Sequence, residues 1–421
     1  MTSDVGSGPM EPSDQELAAL VAAYAATRPG WNHADVAAGD VRLVHVEHLR
    51  RGDPGLLDVV AELGDRLVHV VLGLRRPHDE PRWLPEADDA APGVLGTLGD
   101  LVAFDAMRDI DTAALLLEVV AGQSAEARLV RLLHLDQQAV TLAMEERLAF
   151  TVFNELAPGP RPSTEVVMAL DEVGFNHLAA PVAAWRSGSW DLGFIQEHLA
   201  AASTGWALAL TSVRDLYASG GPPELAGGDF GAEAHRLGTM TARLHLAMER
   251  AFGRRQAKVS SWADAVEQEV QARAPRRLGR PEVQALLAEL RVLPSAAESI
   301  RTHGDYHLGR VWRAEQGWYV GDFSAGEDTA ADAPFRSPLA DVADMMWSFG
   351  HVAASAAAER DPTGRDGLRE LAEAWEQRNR RAFLAGYMGV AGIAGLVPPG
   401  RDAVRVLVGA FELERSSRAT P

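Results

Sequence analysis

Apolar positions follow two periods along this chain, and the change between them divides it. From residue 200 onward the spacing is helical. Between 231 and 253, Leu237, Met240, Leu244, Met248 and Phe252 recur every three or four residues, which predicts a long helix with one buried face. That stripe reads as core and not as a cofactor box. Similar spacing predicts helices over 205–218, 259–273, 282–293, 337–357, 365–390 and 402–417. Residues 101–199 instead carry short runs rich in β-branched residues, at 127–135, 139–142, 148–153, 178–185 and 191–197, with one helix over 162–173. A five-stranded antiparallel sheet with a helix is expected there. Residues 1–100 mix a short amphipathic helix over 14–26 with strand-like runs at 41–49 and 66–74, a Pro- and acid-rich loop at 76–92, and turns and helix from 93 to 117. They predict a small α/β unit. Residues 1–14 are Ser, Gly, Pro and acids and read as disordered. The expected division is therefore 1–100, 101–199 and 200–421, in the α+β class and without an internal repeat.

One stretch of this pattern carries chemistry. Ile300 to Ser324 reads IRTHGDYHLGRVWRAEQGWYVGDFS. Val311-Trp312 and Trp318-Tyr319-Val320 predict two strands around the turn 314–317. That hairpin would bring Asp305, in His303-Gly304-Asp305, to the same end as Asp322, in Asp322-Phe323. Protein kinases use one Asp beside the acceptor hydroxyl and a second, in Asp-Phe-Gly, to hold magnesium on the nucleotide phosphates; an Asn five residues after the first Asp binds a further ion. Here the fifth residue is Arg310. The plainer reading makes both aspartates turn residues beside glycines. The joint spacing of the triplet, the hairpin and Asp-Phe favours phosphoryl transfer.

Composition narrows the class. The formal charge of −19 over 421 residues disfavours general binding to nucleic acid or to an anionic membrane. No apolar run approaches a membrane span, and the first residues lack a basic-then-apolar signal, so a cytoplasmic protein is expected. The absence of cysteine excludes disulfides, thiolate metal sites and a cysteine nucleophile. No His-Glu-x-x-His or Gly-x-Ser-x-Gly motif supports a zinc or serine hydrolase. The basic residues are almost all arginine, and Lys258 is the one lysine. No lysine is thus present before residue 258 to meet a nucleotide's inner phosphates.

The order of motifs resembles that of bacterial maltokinases and actinobacterial glucosamine kinases, within the aminoglycoside-phosphotransferase-like kinases. The segments that carry it are 301–309 (RTHGDYHLG), 321–323 (GDF), 336–343 (RSPLADVA) with the helix to Phe349, 241–247 (TARLHLA), Gly205-Trp206 and 212–216 (SVRDL). Together they span roughly residues 125–355. The resemblance implies a bilobal protein-kinase-like fold, with an N-terminal α/β cap, a mainly β N-lobe and a mainly helical C-lobe. It also implies ATP, Mg2+ and a small sugar or aminosugar acceptor such as maltose or glucosamine. Asp305 would orient and deprotonate the acceptor hydroxyl, with His307 near substrate, and Asp322 would hold magnesium. Gln196, Glu197 and His198 would form the hinge at which backbone groups pair with adenine. Glu165 matches the helix glutamate that pairs with the nucleotide lysine. Three positions depart from the family pattern. Arg310 stands for Gln or Asn, Ser324 for Glu, and Thr151 for the lysine of the third N-lobe strand, with Arg147 or Arg131 as candidate replacement cations. The turn 136–138 stands in place of a Gly-rich phosphate loop.

Arg310 puts a permanent cation in the metal slot, either bridging to Asp322 or meeting phosphate directly. A sugar kinase that uses this replacement and a pseudokinase that binds nucleotide, sugar or a protein without transfer are the two functional alternatives. Several other residues have simpler accounts beside functional ones. His303 reads as a structural hydrogen-bonding group. Asp341 and Asp344 complement a helix N-terminus, and Asp341 is also placed to brace the catalytic loop. Asp328 and Asp332 read as a solvated turn or as contacts to sugar hydroxyls. Glu412 and Glu414 read as a surface helix face or as reaching the acceptor.

Overall fold

The computed structural model describes the chain except residues 1–12, 29–36, 85–92, 123–128, 226–227, 294–295, 324–334, 361–366 and 419–421. Expectations for residues 1–12, Ser324, Asp328 and Asp332 lie outside the described residues. The chain forms two compact units, one of residues 1–164 and 180–200, the other of 165–179 and 201–421.

The first unit contains α1 (Asp14–Ala26), β1 (Val41–Arg50), β2 (Gly55–Leu63), β3 (Arg66–Arg75), β4 (Val94–Leu98), β5 (Leu101–Asp105), α2 (Ile110–Ala121), β6 (Val130–Leu135), β7 (Ala139–Met144), β8 (Leu148–Phe153), β9 (Glu155–Leu156), β10 (Pro181–Ser187) and β11 (Trp190–Glu197). Its first sheet runs β1-β2-β3-β5-β4, and its second runs β10-β11-β8-β7-β6. Every named pairing in both is antiparallel. In place of separate bodies at 1–100 and 101–199 there is one, because β9 adds to β3 through Leu67–Leu156 and Val68–Glu155. The interior joins them as well. Leu56 and Val71 share a core with Leu116 and Leu117 of α2 and with Leu142, Phe150 and Ile195 of the second sheet. The other face of the first sheet packs Leu57, Val59 and Val70 against Leu17, Leu20, Val21 and Tyr24 of α1. β2 is thus buried on both faces, and apolar residues run through it without alternation. Asp58 sits within it, its carboxylate 2.7 Å from Nε2 of the buried His69, whose Nδ1 lies 2.6 Å from the Phe153 carbonyl oxygen.

The second unit is helical around short strands. In chain order it holds α3 (Pro162–Glu172, from Glu165), β12 (Ser203–Thr204), α4 (Gly205–Ser219), α5 (Gly231–Phe252), β13 (Arg254–Lys258), α6 (Val259–Arg273), α7 (Pro281–Arg291), β14 (Ala296–Arg301), β15 (Val311–Ala314), β16 (Gly317–Val320), β17 (Phe335–Arg336), α8 (Leu339–Arg360), α9 (Leu368–Met388) and α10 (Arg401–Arg418). The α5 stripe is buried from Leu237 to Met248, as its periodicity predicts. It meets α9 backbone to backbone: a β-carbon on Gly238 would strike the Phe383 carbonyl, and one on Gly386 the carbonyl of His235. β15 and β16 form the expected hairpin, with Val311 opposite Val320. α4 presses onto its base at Gly205, where a β-carbon would lie 2.9 Å from the Leu308 carbonyl oxygen and 2.8 Å from Val311. Among the described residues no helix is long and apolar enough to cross a membrane.

Candidate active site

The second unit fixes the loop 302–310 from three sides. Asp341, in the first turn of α8, is fully buried and accepts the backbone N–H groups of His303 at 2.8 Å and Gly304 at 3.0 Å. The Nε2 of buried His245, on α5, lies 3.1 Å from Asp341, and its Nδ1 lies 2.9 Å from the Tyr387 hydroxyl. Burial works to raise the pKa of Asp341. The His245 bond, the loop N–H groups and the neighbouring imidazoles outweigh it and hold the carboxyl below the ordinary range. The brace expected of Asp341 is therefore present.

The second tie is His303, whose Nε2–H donates to the Gly321 carbonyl at 2.9 Å, one residue before Asp322. Burial keeps this ring neutral by lowering its pKa. The third is Tyr306, buried, with its hydroxyl 2.8 Å from the Thr241 hydroxyl on α5. The hairpin then returns the chain to Asp322, which takes a left-handed φ of 56°; aspartate tolerates that region better than bulkier residues. Both expected carboxylates therefore stand in one cluster.

Two guanidinium groups join them. Arg310 Nη1 donates to Asp322 at 2.9 Å and its Nη2 to Asp305 at 3.4 Å. Arg415, on α10, donates to the other oxygen of Asp305 at 2.7 Å. His307 completes the group. Its Nδ1 accepts the Gly309 N–H at 3.1 Å, so the neutral ring carries its proton on Nε2, which faces Asp305 at 3.5 Å. Burial would raise the pKa of Asp305, but His307 and Arg415 prevail and hold it well below the usual carboxylate range. Asp305 stays ionised at every pH at which the protein would work. A carboxylate of this kind orients a hydroxyl well and is a weak base.

No sequence motif marks Arg415. Its sole signal was a position one turn of helix from the chain's last apolar stripe. Its guanidinium also stacks over Trp347, 5.1 Å from the ring centroid, and His351 lies parallel to that indole at 4.7 Å. Glu414 and Glu412 are engaged in ion pairs. Glu414 is buried and bridges Arg336 at 2.6 Å and Arg418 at 2.5 Å, and Glu412 pairs with Arg380.

The remaining expected positions lie elsewhere. Glu165 pairs with Arg301 at 2.6 Å, four residues before Asp305 in the chain. Thr151, in the first unit, spends its hydroxyl on Thr141 across the sheet at 2.9 Å. Arg131 is held by Glu146 at 3.1 Å, and Arg147 turns the chain between β7 and β8, at the opposite end of that hairpin from the turn 136–138. Gln196 and Glu197 end β11, opposite Ala149 and Leu148. The N–H groups of Glu197 and His198 already donate to Ala180 and Arg147 at 2.8 and 2.7 Å, so these two donors are not available to adenine.

The donor set can be tested for magnesium. Magnesium on nucleotide phosphates is commonly held by one or two carboxylates at about 2.1 Å. Asp322 is one such group, and it already carries Arg310. An ion on the bridged oxygen would lie at most about 5 Å from the guanidinium nitrogen, adding 2.1 Å to the 2.9 Å bridge. Repulsion between +2 and +1 at that distance is about 2 kcal/mol in water and about 7 kcal/mol at a protein-like dielectric of 20. No group of three His, Cys, Asp or Glu among the described residues offers another site. As arranged, these residues do not fit a magnesium ion.

No protein-family model matches the chain. It is 32% identical over 359 residues to the glucosamine kinase of Streptacidiphilus jiangxiensis, covering 77% of this chain and 79% of that protein. It is 27% identical over 256 residues to the glucosamine kinase of Mycolicibacterium smegmatis, covering 56% and 62%. A solved glucosamine kinase in complex with glucosamine, ADP and inorganic phosphate superposes with a TM-score of 0.65 at 22% identity, over 97% of this chain and 94% of that one. At that identity the superposition establishes the fold.

Proposed function

We propose that this chain transfers the terminal phosphoryl group of ATP to a hydroxyl of glucosamine, from the premise that it belongs to the glucosamine kinase family. It is a sugar kinase with the bilobal α+β fold expected of that group. Glucosamine is favoured over maltose as the acceptor because the named relatives are glucosamine kinases. The net charge of −19 suits an aminated sugar better than a phosphorylated one.

The observation that carries the reading is the position of Asp305. It is an ionised carboxylate on a loop braced by a buried aspartate, with Asp322 bridged to it through Arg310. Phosphoryl transfer through a loose transition state asks little of a base and much of positioning and of charge. Asp305 accepts the acceptor's O–H and fixes its direction. The proton leaves late, as the oxygen bonds to phosphorus, so a low basicity at Asp305 costs little. His307 Nε2–H faces the same carboxylate and limits its rotation. Arg310 and Arg415 supply positive charge beside the transferring group. Magnesium is taken to travel with the nucleotide as its counter-ion. Its candidate protein ligand, Asp322, is engaged by Arg310.

The test is ADP release from purified protein supplied with ATP, magnesium and a panel of glucosamine, N-acetylglucosamine, glucose and maltose. Turnover is expected with glucosamine and is expected to vanish in Asp305→Asn. Equal turnover by the variant, or a preference for maltose, would refute the assignment.

A further inference from the structure

The misfit between Asp322 and a magnesium ion has a positive counterpart in the geometry. A divalent ion in a phosphoryl-transfer site bridges protein carboxylate to phosphate and offsets their mutual repulsion. Arg310 already holds one side of that arrangement. Its two terminal nitrogens span Asp322 and Asp305, and Arg415 takes the remaining oxygen of Asp305. Two carboxylates and two guanidinium groups thus stand in contact, and Arg310 commits one N–H to each of the two aspartates out of its five donors. Arg310, at the end of the braced loop, and Arg415, on α10, are partly buried, with side chains 31% and 17% exposed. A guanidinium is always charged and presents a planar fork that matches phosphate oxygens.

We propose that Arg310 is a resident cation in the position of a divalent ion, so that this chain binds the phosphates of a nucleoside diphosphate without needing a metal at Asp322. The inference rests on the nucleotide-site reading above. It differs from that reading in what it says of the metal: catalysis can still use magnesium carried on ATP, but affinity for the nucleotide does not come from an ion on Asp322. It also accounts for the absence of lysine before residue 258, since part of the phosphate charge is met by an arginine of the second unit.

The experiment is calorimetric titration of the full chain with ADP, in excess EDTA and in millimolar magnesium, for the native protein and for Arg310→Gln. The native protein should bind ADP in EDTA, with magnesium changing Kd by less than about threefold. Arg310→Gln frees Asp322 and places an amide oxygen beside it. It should bind ADP more weakly in EDTA and regain affinity by about tenfold or more when magnesium is added. Arg310→Lys, which keeps the charge and loses the fork, should lie between the two. A native protein that gains tenfold or more from magnesium overturns the proposal whether or not the variants fold. Absence of ADP binding in both buffers would instead overturn the nucleotide site itself, and this inference with it.

Discussion

Replacing Asp341 by asparagine probes the loop at its anchor. The aspartate accepts three hydrogen bonds: one oxygen serves the His303 N–H and His245, and the other serves the Gly304 N–H. An asparagine of the same shape has one oxygen and one NH2. Whichever way it turns, a donor faces a donor, and at least one buried N–H is orphaned. That costs about 1–3 kcal/mol. The loss of the charge-assisted hydrogen bond from His245 adds about 1.5–3 kcal/mol, for a total of about 3–5 kcal/mol. Unfolding in urea, followed by tryptophan fluorescence, should show Asp341→Asn destabilised by roughly that amount at neutral pH. The pH dependence has a definite sign. The folded-state pKa of Asp341 is depressed, so its contribution is complete above the unfolded value near 4 and is lost as pH falls through the folded one. The gap between native protein and variant should therefore be widest at neutral pH and narrow below about pH 4. A loosened loop would also displace Asp305, and about a hundredfold loss in kcat is expected for a shift near 1 Å. A variant within 1 kcal/mol of the native protein at neutral pH, with unchanged kcat, would show that the brace does not hold the loop.

Three further outcomes follow from other contacts. Arg415→Met removes a cation 2.7 Å from Asp305, so the acid limb of the kcat/KM profile should move up toward the ordinary aspartate range near 4, read from initial rates across pH. Gly205→Ala would press a methyl group on the Leu308 carbonyl and Val311; a loss of about 1–3 kcal/mol in urea unfolding is expected, with reduced turnover. Asp344 is buried in α8, and burial pushes its carboxyl up to about 8. The native state therefore binds one more proton than the unfolded chain between pH 4 and 8, and stability falls as pH rises through that window. Asp344→Asn should remove the fall and stabilise the protein at pH 8 by a few kcal/mol, on the order of 1.4 kcal/mol for each pH unit crossed, measured by urea unfolding at pH 5 and 8.

The helices of the second unit were readable because each buries one face and leaves the other in water, so the period survives in the sequence. β2 was not. It is covered on both sides, its apolar run has no alternation, and Asp58 in its centre looks like a turn residue until His69 is seen beside it. β13, with the sequence RRQAK, is mostly exposed and has no apolar signature. It forms because β14 lies alongside it. At the site, Asp305 and Asp322 could be found from spacing because the intervening hairpin is short. Arg415 could not, since it comes from α10, 110 residues away, and nothing local distinguishes it from its surface neighbours Arg405 and Arg418. The departure at Arg310 was visible as a residue, but its double contact depends on the rotation of Asp322 into a left-handed conformation. Glu165 shows the opposite case: the residue was legible, whereas its partner, Arg301, lies 136 residues further along the chain with no local signal for the pair.

The role proposed for Asp305 is to direct a sugar hydroxyl onto phosphorus. Mass spectrometry of glucosamine incubated with ATP, magnesium and the native chain tests it most directly, run beside Asp305→Asn. The native chain should form a singly phosphorylated glucosamine in equal amount with ADP, and the variant should form none. ADP without phosphorylated sugar, or the same product from both proteins, would contradict it.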